Sequence, residues 1–339
     1  MYQLKTHYSP KALKDKWEKM TPTSVYQTFW IQNELWYNMP VYGVMNGYVP
    51  VYYEVIEHNE TQMIFPLCKY IGKNEHCVLG MINGFQIYDI ICMPGLEQQK
   101  IDEMVLFVVT TIRTESIRIA CLPETALLYR AIMNLEGTGV RYRDKEKHEN
   151  VLICAEQGYD DYYAGLSKHT RQNLRTAYNR MARDGVRPYL EVIIGKPLDR
   201  KLLRRLIDIY CKRHNDRYGV KTSPLKKLYL NVFDFSTRSL QNNAGNFYAI
   251  LYIGGEIAAF MAGMHSPKRD SIIIPRLSIN DSFSQYSPGM VMINETMKYM
   301  TKDMGICSLD LSKGAEQYKF SMGGTSYPTY SLELMQKTV

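Results

Sequence analysis

The 339-residue chain is 45% apolar and 22% charged, with 22 Gly and 14 Pro, which excludes disordered, collagen-like and coiled-coil chains and leaves room for about two domains. Its longest apolar runs, such as Met104–Val109, are far shorter than the ~20 residues of a membrane span. The net charge of +7 is uneven: residues 1–150 hold 15 Lys+Arg against 17 Asp+Glu, and the rest hold 26 against 17. The basic excess of the second half is either a solvated face or the mark of an anionic partner.

In chain order, alternating segments Tyr48–Ile56 and Thr61–Tyr70 flank the polar turn His58-Asn59-Glu60 and predict a hairpin. Strand-like Gln86–Cys92, Pro94-Gly95, a helix over Ile101–Thr111 and a strand over Ser116–Cys121 follow. Gly137–Asn150 is a charged stretch that reads as a linker or as a strand leaving the first unit. Next comes a basic helix whose stripe Leu174, Ala177, Tyr178, Met181 has i, i+3, i+4, i+7 spacing. Ser167 is its expected N-cap and Asp184-Gly185 its stop, with Lys168, Arg171 and Arg175 on another face. Strand Tyr189–Ile194, a helix from Pro197 to His214 and a third helix over Pro224–Leu240 are expected next. Strands Asn246–Tyr252 and Glu256–Ser266 join at Gly254-Gly255, a hairpin signal. Strand Ser271–Ile279, Pro288-Gly289, helix Met290–Asp303, strand Ile306–Leu311, a short helix and strand Tyr330–Leu334 complete the series. Both halves thus read strand, turn, strand, strand, Pro-Gly, helix, strand. Two copies of one α/β (α+β) unit account for that order, with the boundary between about 140 and 165.

Three segments, LSKHTRQNLRTAYNRMARDG (166–185), YSPGMVMINETMKY (286–299) and LDLSKGAEQYKFSMGG (309–324), together with VYQTFWIQNELW (25–36), resemble the FemAB-like and CelD-like branch of the GNAT acyltransferase superfamily. The resemblance implies two tandem GNAT-like domains, each a mixed, mostly antiparallel sheet flanked by helices. Residues 1–150 would be a degenerate copy without the cofactor motif, and residues 151–339 the acyltransferase domain. It further implies an acyl-CoA-dependent N-acyltransferase that uses acetyl-CoA or another acyl-CoA as co-substrate and needs no metal. The acceptor would be a small-molecule or saccharide amine, such as an amino sugar or a cell-envelope polysaccharide precursor. A FemAB-type transferase using aminoacyl-tRNA on a cell-wall precursor, with Lys168, Arg171 and Arg175 on RNA phosphates, is the alternative. A non-catalytic binding module on the same fold is another. DNA is not an expected partner.

The same resemblance places the site. A helix N-terminus suits a pyrophosphate, so Gln285, Tyr286, Ser287, Gly289 and Met290 would hold coenzyme A, with Ser287 capping and Pro288 at the first helical position. The family pattern has small residues where this chain has Pro288 and Met290. Backbone N–H groups of Leu277, Ser278 and Ile279 would face the thioester carbonyl. Tyr318 would protonate the departing thiolate, and Asp310 or Glu316 would take a proton from the amine. Lys319 and Arg276 would hold an anionic substrate group. The bland reading of these charges is a surface ion-pair cluster. The seven His show no metal-ligand spacing, and Cys307 reads as a core residue. Seven Cys without a CxxC pair, and an N-terminus without a signal-type apolar core, are expected of a protein of the reducing cytoplasm.

Overall fold

The computed structural model describes residues 1–45, 47–78, 87–229, 245–266 and 271–336. The chain divides into two compact units, residues 1–149 with 327–339, and residues 150–326. A single cut at 150 would put the last strand in the second unit; the structure puts Tyr327–Val339 in the first. The expected helix over Pro224–Leu240 lies partly outside the described residues, as does Gln86.

Unit 1 contains β1 (Gln3–His7), α1 (Lys14–Trp17), α2 (Phe29–Met45), β2 (Tyr48–Glu57), β3 (Glu60–Tyr70), β4 (Glu75–Val78), β5 (Ile91–Cys92), α3 (Gln98–Thr111), β6 (Ser116–Pro123) and α4 (Leu127–Asn134). Of the two readings of the charged stretch before residue 150, linker or strand leaving the first unit, the strand is the one found: it is most of β7 (Val140–Cys154), within which the chain enters unit 2. Unit 2 continues with α5 (Tyr159–Gly165), α6 (Lys168–Arg183), β8 (Pro188–Ile194), α7 (Arg200–Tyr218), α8 (Pro224–Tyr229), β9 (Gly245–Ile253), β10 (Glu256–Ser266) and β11 (Ser271–Ile279). Then come α9 (Pro288–Tyr299), β12 (Ser308–Lys313), α10 (Gln317–Ser321) and β13 (Thr325–Gln336), within which the chain returns to unit 1.

The repeat is visible in the pairing. The strands of unit 1 run in the order β1-β2-β3-β4-β6-β13, and those of unit 2 in the order β7-β12-β11-β10-β9-β8. Every pair described within a unit is antiparallel except one: β4 with β6, and β11 with β12. Parallel neighbours need a crossover, and α3 and α9 supply it. The two hairpins also match, since Glu57 pairs with Glu60 and Ile253 with Glu256 around two-residue turns. Both residues of each turn have positive φ, at His58 and Asn59 and at Gly254 and Gly255, the backbone that a tight hairpin twist requires.

Each sheet is packed on both faces. In unit 1, α3 and α4 cover one face with Ile101, Val105, Leu128 and Ile132, and Trp17 and Phe29 cover Tyr52 and Ile64 on the other. In unit 2, Leu174, Ala177 and Met181 of α6 and Val291, Met292 and Met297 of α9 pack on Ala249, Leu251, Ala259 and Met261. Leu203, Leu206 and Ile207 of α7 pack on Ile250 and Phe260 opposite. Each Val, Leu, Ile, Phe or Met among them contributes roughly 1.5–3 kcal/mol of transfer free energy. The expected signals hold at α6, where Ser167 accepts from the Thr170 N–H at 3.0 Å and Gly185 takes φ +70 past the Asp184 C-cap. Helix α7 starts after its Asp199 cap and ends at Tyr218, four residues beyond the expected His214, with Gly219 at φ +64 as its C-cap.

Candidate functional site

The geometry of unit 2 turns on the point where β11 and β12 part. They pair only from Ser271–Ser308 to Ile273–Asp310. Past Ile273 the outer edge of β11 meets no strand among the described residues, while its inner edge stays paired to β10 through Ile279–Ala259. Two local features cause this. On β11 the register slips between Ala262–Arg276 and Met264–Ile273, an extra residue that sharpens twist and bend. Gly263 stands opposite, and a Cβ there would overlap the Ile273 carbonyl oxygen. On β12, Ser312 takes φ +58 and its N–H donates to Asp310 Oδ1 at 2.7 Å, turning the strand away.

Residues directly opposite share a sheet face, so the register sorts the side chains. Leu277 and Ile279 pack on the core under α6 and α9. Arg276 and Ser278 stand opposite Ala262 and Phe260, on the side that α7 covers. Ser278 Oγ and Ser312 Oγ are buried with no hydrogen-bond partner among the described residues.

The turn before α9 differs from the expected anion cradle. The 3₁₀ turn Asp281–Tyr286 delivers Ser287 at φ +49, where its side chain makes no cap. Pro288 has no N–H, and the Met290 and Val291 N–H groups both return to the Ser287 carbonyl, at 3.0 and 3.2 Å. Among the described residues, the Gly289 N–H is the remaining first-turn donor. The Gln285 carbonyl accepts from Arg180 at 2.9 Å. Tyr286 is buried and donates to Asp184 Oδ2 at 2.9 Å, a bond that, together with burial, raises its pKa. The capping role expected of Ser287 is therefore wrong. Tyr286 ties α9 to α6 from inside the fold.

Beyond β12, Lys319 is buried and donates to the carbonyls of Leu311, Ser312, Lys313 and Gly314 at 2.9, 3.4, 3.2 and 3.0 Å. It also pairs with Glu316 at 3.1 Å. A substrate anion cannot claim an ammonium whose donors are engaged in this way, so the expected substrate role of Lys319 is corrected to a structural one. Gly314 at φ +113 lets the loop pass Glu316, and Gly324 lies where a Cβ would come within 2.7 Å of the Lys319 carbonyl. The KGAEQYKFSMGG segment is thus largely the wrapping of one lysine.

Glu316 is pushed up by burial, but Lys319 and then Arg217, at 3.6 Å, outweigh that and hold it below the usual carboxylate range. Tyr318 is half-buried against the α6–α9 core. Burial, then the Glu316 charge, push its phenol up to about 12, with Arg213 and Arg217 acting the other way. Asp310, Glu316 and Tyr318 thus lie on β12, at the N-cap of α10 and on α10 itself, just past the parting of the strands. The arginines were missed in the sequence. Arg213 reaches Asp281 at 2.7 Å and Arg217 reaches Glu316; their i, i+4 spacing away from the Leu stripe of α7 was the available signal. Arg171 is not poised for RNA, since its guanidinium donates to the Ala164 and Leu166 carbonyls.

The tandem resemblance implied two mixed, mostly antiparallel sheets flanked by helices, and the strand pairing of the two units agrees with it. Residues 168–320 match the family model described as Acetyltransferase (GNAT) domain. The fold is that of tandem GNAT proteins. A crystal structure titled FemX aligns at 10% identity with a TM-score of 0.59, covering 98% of this chain and 96% of that one. A tandem GNAT protein from the clavulanic acid biosynthesis pathway aligns at 7% identity and 0.55, covering 100% and 99%. A conserved protein of unknown function from Bacteroides thetaiotaomicron aligns at 11% identity and 0.57, covering 98% and 100%. At these identities the likeness is one of fold. No curated protein matches the sequence. Among the described residues of the chain, no three His, Cys, Asp or Glu side chains converge as metal ligands, and no helix is long and apolar enough to cross a membrane.

Proposed function

We propose that unit 2 is an acyl-CoA-dependent N-acyltransferase and that unit 1 is a copy without the chemistry. The observation that carries this is the outer edge of β11 past Ile273, which meets no strand among the described residues. Backbone N–H groups there can hold an extended pantetheine arm and face a thioester carbonyl as it gains negative charge, the kind of stabilisation that is largest in a water-poor site. The Gly289 N–H and the dipole of α9 face the pyrophosphate. The Tyr318 phenol, protonated up to about pH 12, donates to the departing sulfur. The acceptor amine loses its proton to solvent or to Asp310 rather than to Glu316, because a carboxylate held down by two cations is a poor base. The amine of an amino sugar or of an envelope polysaccharide precursor fits this reading.

A second reading, an aminoacyl-tRNA donor, is favoured by the sparse first turn of α9, where Met290 and Val291 return their N–H groups to Ser287. Melting curves separate the two, because a ligand that binds only the native state raises the melting temperature. Acetyl-CoA alone should raise it. A rise with tRNA and none with acetyl-CoA would replace the first reading by the second.

A further inference from the structure

Residues 200–229 hold ten Lys and Arg against two Asp, so most of the basic excess of the second half lies on α7, α8 and the loop joining them. Part of that charge is neutralised: Arg205 pairs with Glu256, Arg213 with Asp281, Arg217 with Glu316 and Lys227 with Asp208. Two of the remaining basic residues, Lys221 and Lys226, line a cavity of about 310 Å³ between the last turns of α7 and the first turn of α8. Its walls include Tyr210, His214, Val220, Lys221, Thr222 and Lys226. Tyr210 and His214 lie ring beside ring at 6.2 Å, and Val220 is an exposed apolar side chain at the rim. Thr222 is fixed by donating both its N–H and its hydroxyl to Asn215 Oδ1, at 2.9 and 2.7 Å. The loop that carries Lys221 is therefore held in place. Lys221 itself has no ion-pair partner among the described residues.

We infer that this cavity recognises a small molecule bearing a phosphate or carboxylate, and that the acceptor of the proposed transfer is an anionic amine. The inference rests on the acyltransferase reading for the word acceptor, but not for the binding site. A volume near the lower end of ligand pockets, ~300–1,000 Å³, fits a ring of sugar size with one anionic substituent. The ring would lie against Tyr210 and Val220, and the anion would meet Lys221 and Lys226. The same helix, by Arg217 to Glu316, connects this cavity to the start of α10, which carries Tyr318. An anchored acceptor would thus be presented from the α7 side of the sheet, where Arg276 and Ser278 face.

Ligand-observed NMR titrations of the full chain test this without any acyl transfer. Glucose 6-phosphate, glucuronate and glucose serve as phosphate, carboxylate and neutral probes at matched ionic strength. One or both anionic probes should bind at least tenfold more tightly than glucose, and which one does so names the anion. Lys221→Gln/Lys226→Gln should lose at least fivefold of that affinity, whereas Lys201→Gln/Lys212→Gln, with the same charge change elsewhere on α7, should lose less than twofold. Equal binding of all three probes, or equal losses in both variants, would overturn the inference. So would a polyuridine strand that binds wild type and is weakened equally by both variants while the sugars do not bind, since that would mark a diffuse RNA face. Acetyl-CoA binding is measured on the same samples: if it is absent while the anionic probes bind at Lys221, the acyltransferase reading fails and the cavity assignment stands.

Discussion

Lys319→Met removes one ammonium and keeps the length of the side chain. In the wild-type fold that group donates to four carbonyls at 2.9–3.4 Å and balances Glu316 at 3.1 Å. Hydrogen bonds from a charged donor contribute roughly 1.5–3 kcal/mol each when well formed. Two of the four are long, and part of the loop can rehydrate. The larger cost is a half-buried Glu316 left facing only Arg217, and breaking such a pair from one side costs ~3–5 kcal/mol. The expected loss is therefore about 3–5 kcal/mol of unit 2 stability in urea unfolding, with Lys319→Met/Glu316→Gln recovering part of it. The alternative, a substrate-binding lysine, predicts a raised KM with stability changed by less than about 1 kcal/mol. That second pattern would refute the structural role.

Three further outcomes follow from the geometry. In unit 1, His76 is buried between Tyr53 and Thr114, both at 2.9 Å, and burial lowers its pKa to about 4. That neutral histidine contributes stability present above about pH 6.5 and lost as the pH falls towards 4. Asp89, raised by burial to about 6 while accepting from Leu127 and Leu128 N–H groups, works in the opposite sense, losing stability as the pH rises from about 4 through 6. Asp89→Asn should therefore expose an acid sensitivity of about 3 kcal/mol between pH 6.5 and 4, at ~1.4 kcal/mol per pKa unit. Parallel urea midpoints for wild type and variant over that range would contradict this. Tyr318→Phe should lower kcat at least tenfold at an unchanged acyl-CoA KM; wild-type turnover would reduce the tyrosine to packing. Gly263→Ala must displace the Ile273 carbonyl, with a cost of about 2 kcal/mol and weaker acyl-CoA binding; a Kd and urea midpoint equal to wild type would show that the bulge absorbs a methyl group.

Much of the fold was legible because it is local. Ser167, Gly185 and the Leu174–Met181 stripe act within a few turns of one helix, and the Gly254-Gly255 hairpin acts across two residues. The terminal strand was placed with the wrong unit because Tyr330 pairs with Leu122, and nothing periodic connects positions so far apart. The site was less legible, since its determinants are backbone. Lys319 is a charged letter in the sequence, yet its partners are carbonyls gathered by the Gly314 turn. Ser287 precedes a helix as a cap should, but the 3₁₀ turn before it imposes positive φ. Where the chemistry depends on which N–H groups remain unpaired, residue types say little and register says most.

The central claim is that an acyl-CoA lies along β11 where it leaves β12. Amide hydrogen exchange of the full chain with and without acetyl-CoA tests it most directly. Protection should appear over residues 274–279 and at Gly289, with unit 1 unchanged apart from global stabilisation. Protection absent from both places while acetyl-CoA demonstrably binds, or concentrated in residues 91–98 of the first copy, would contradict the account.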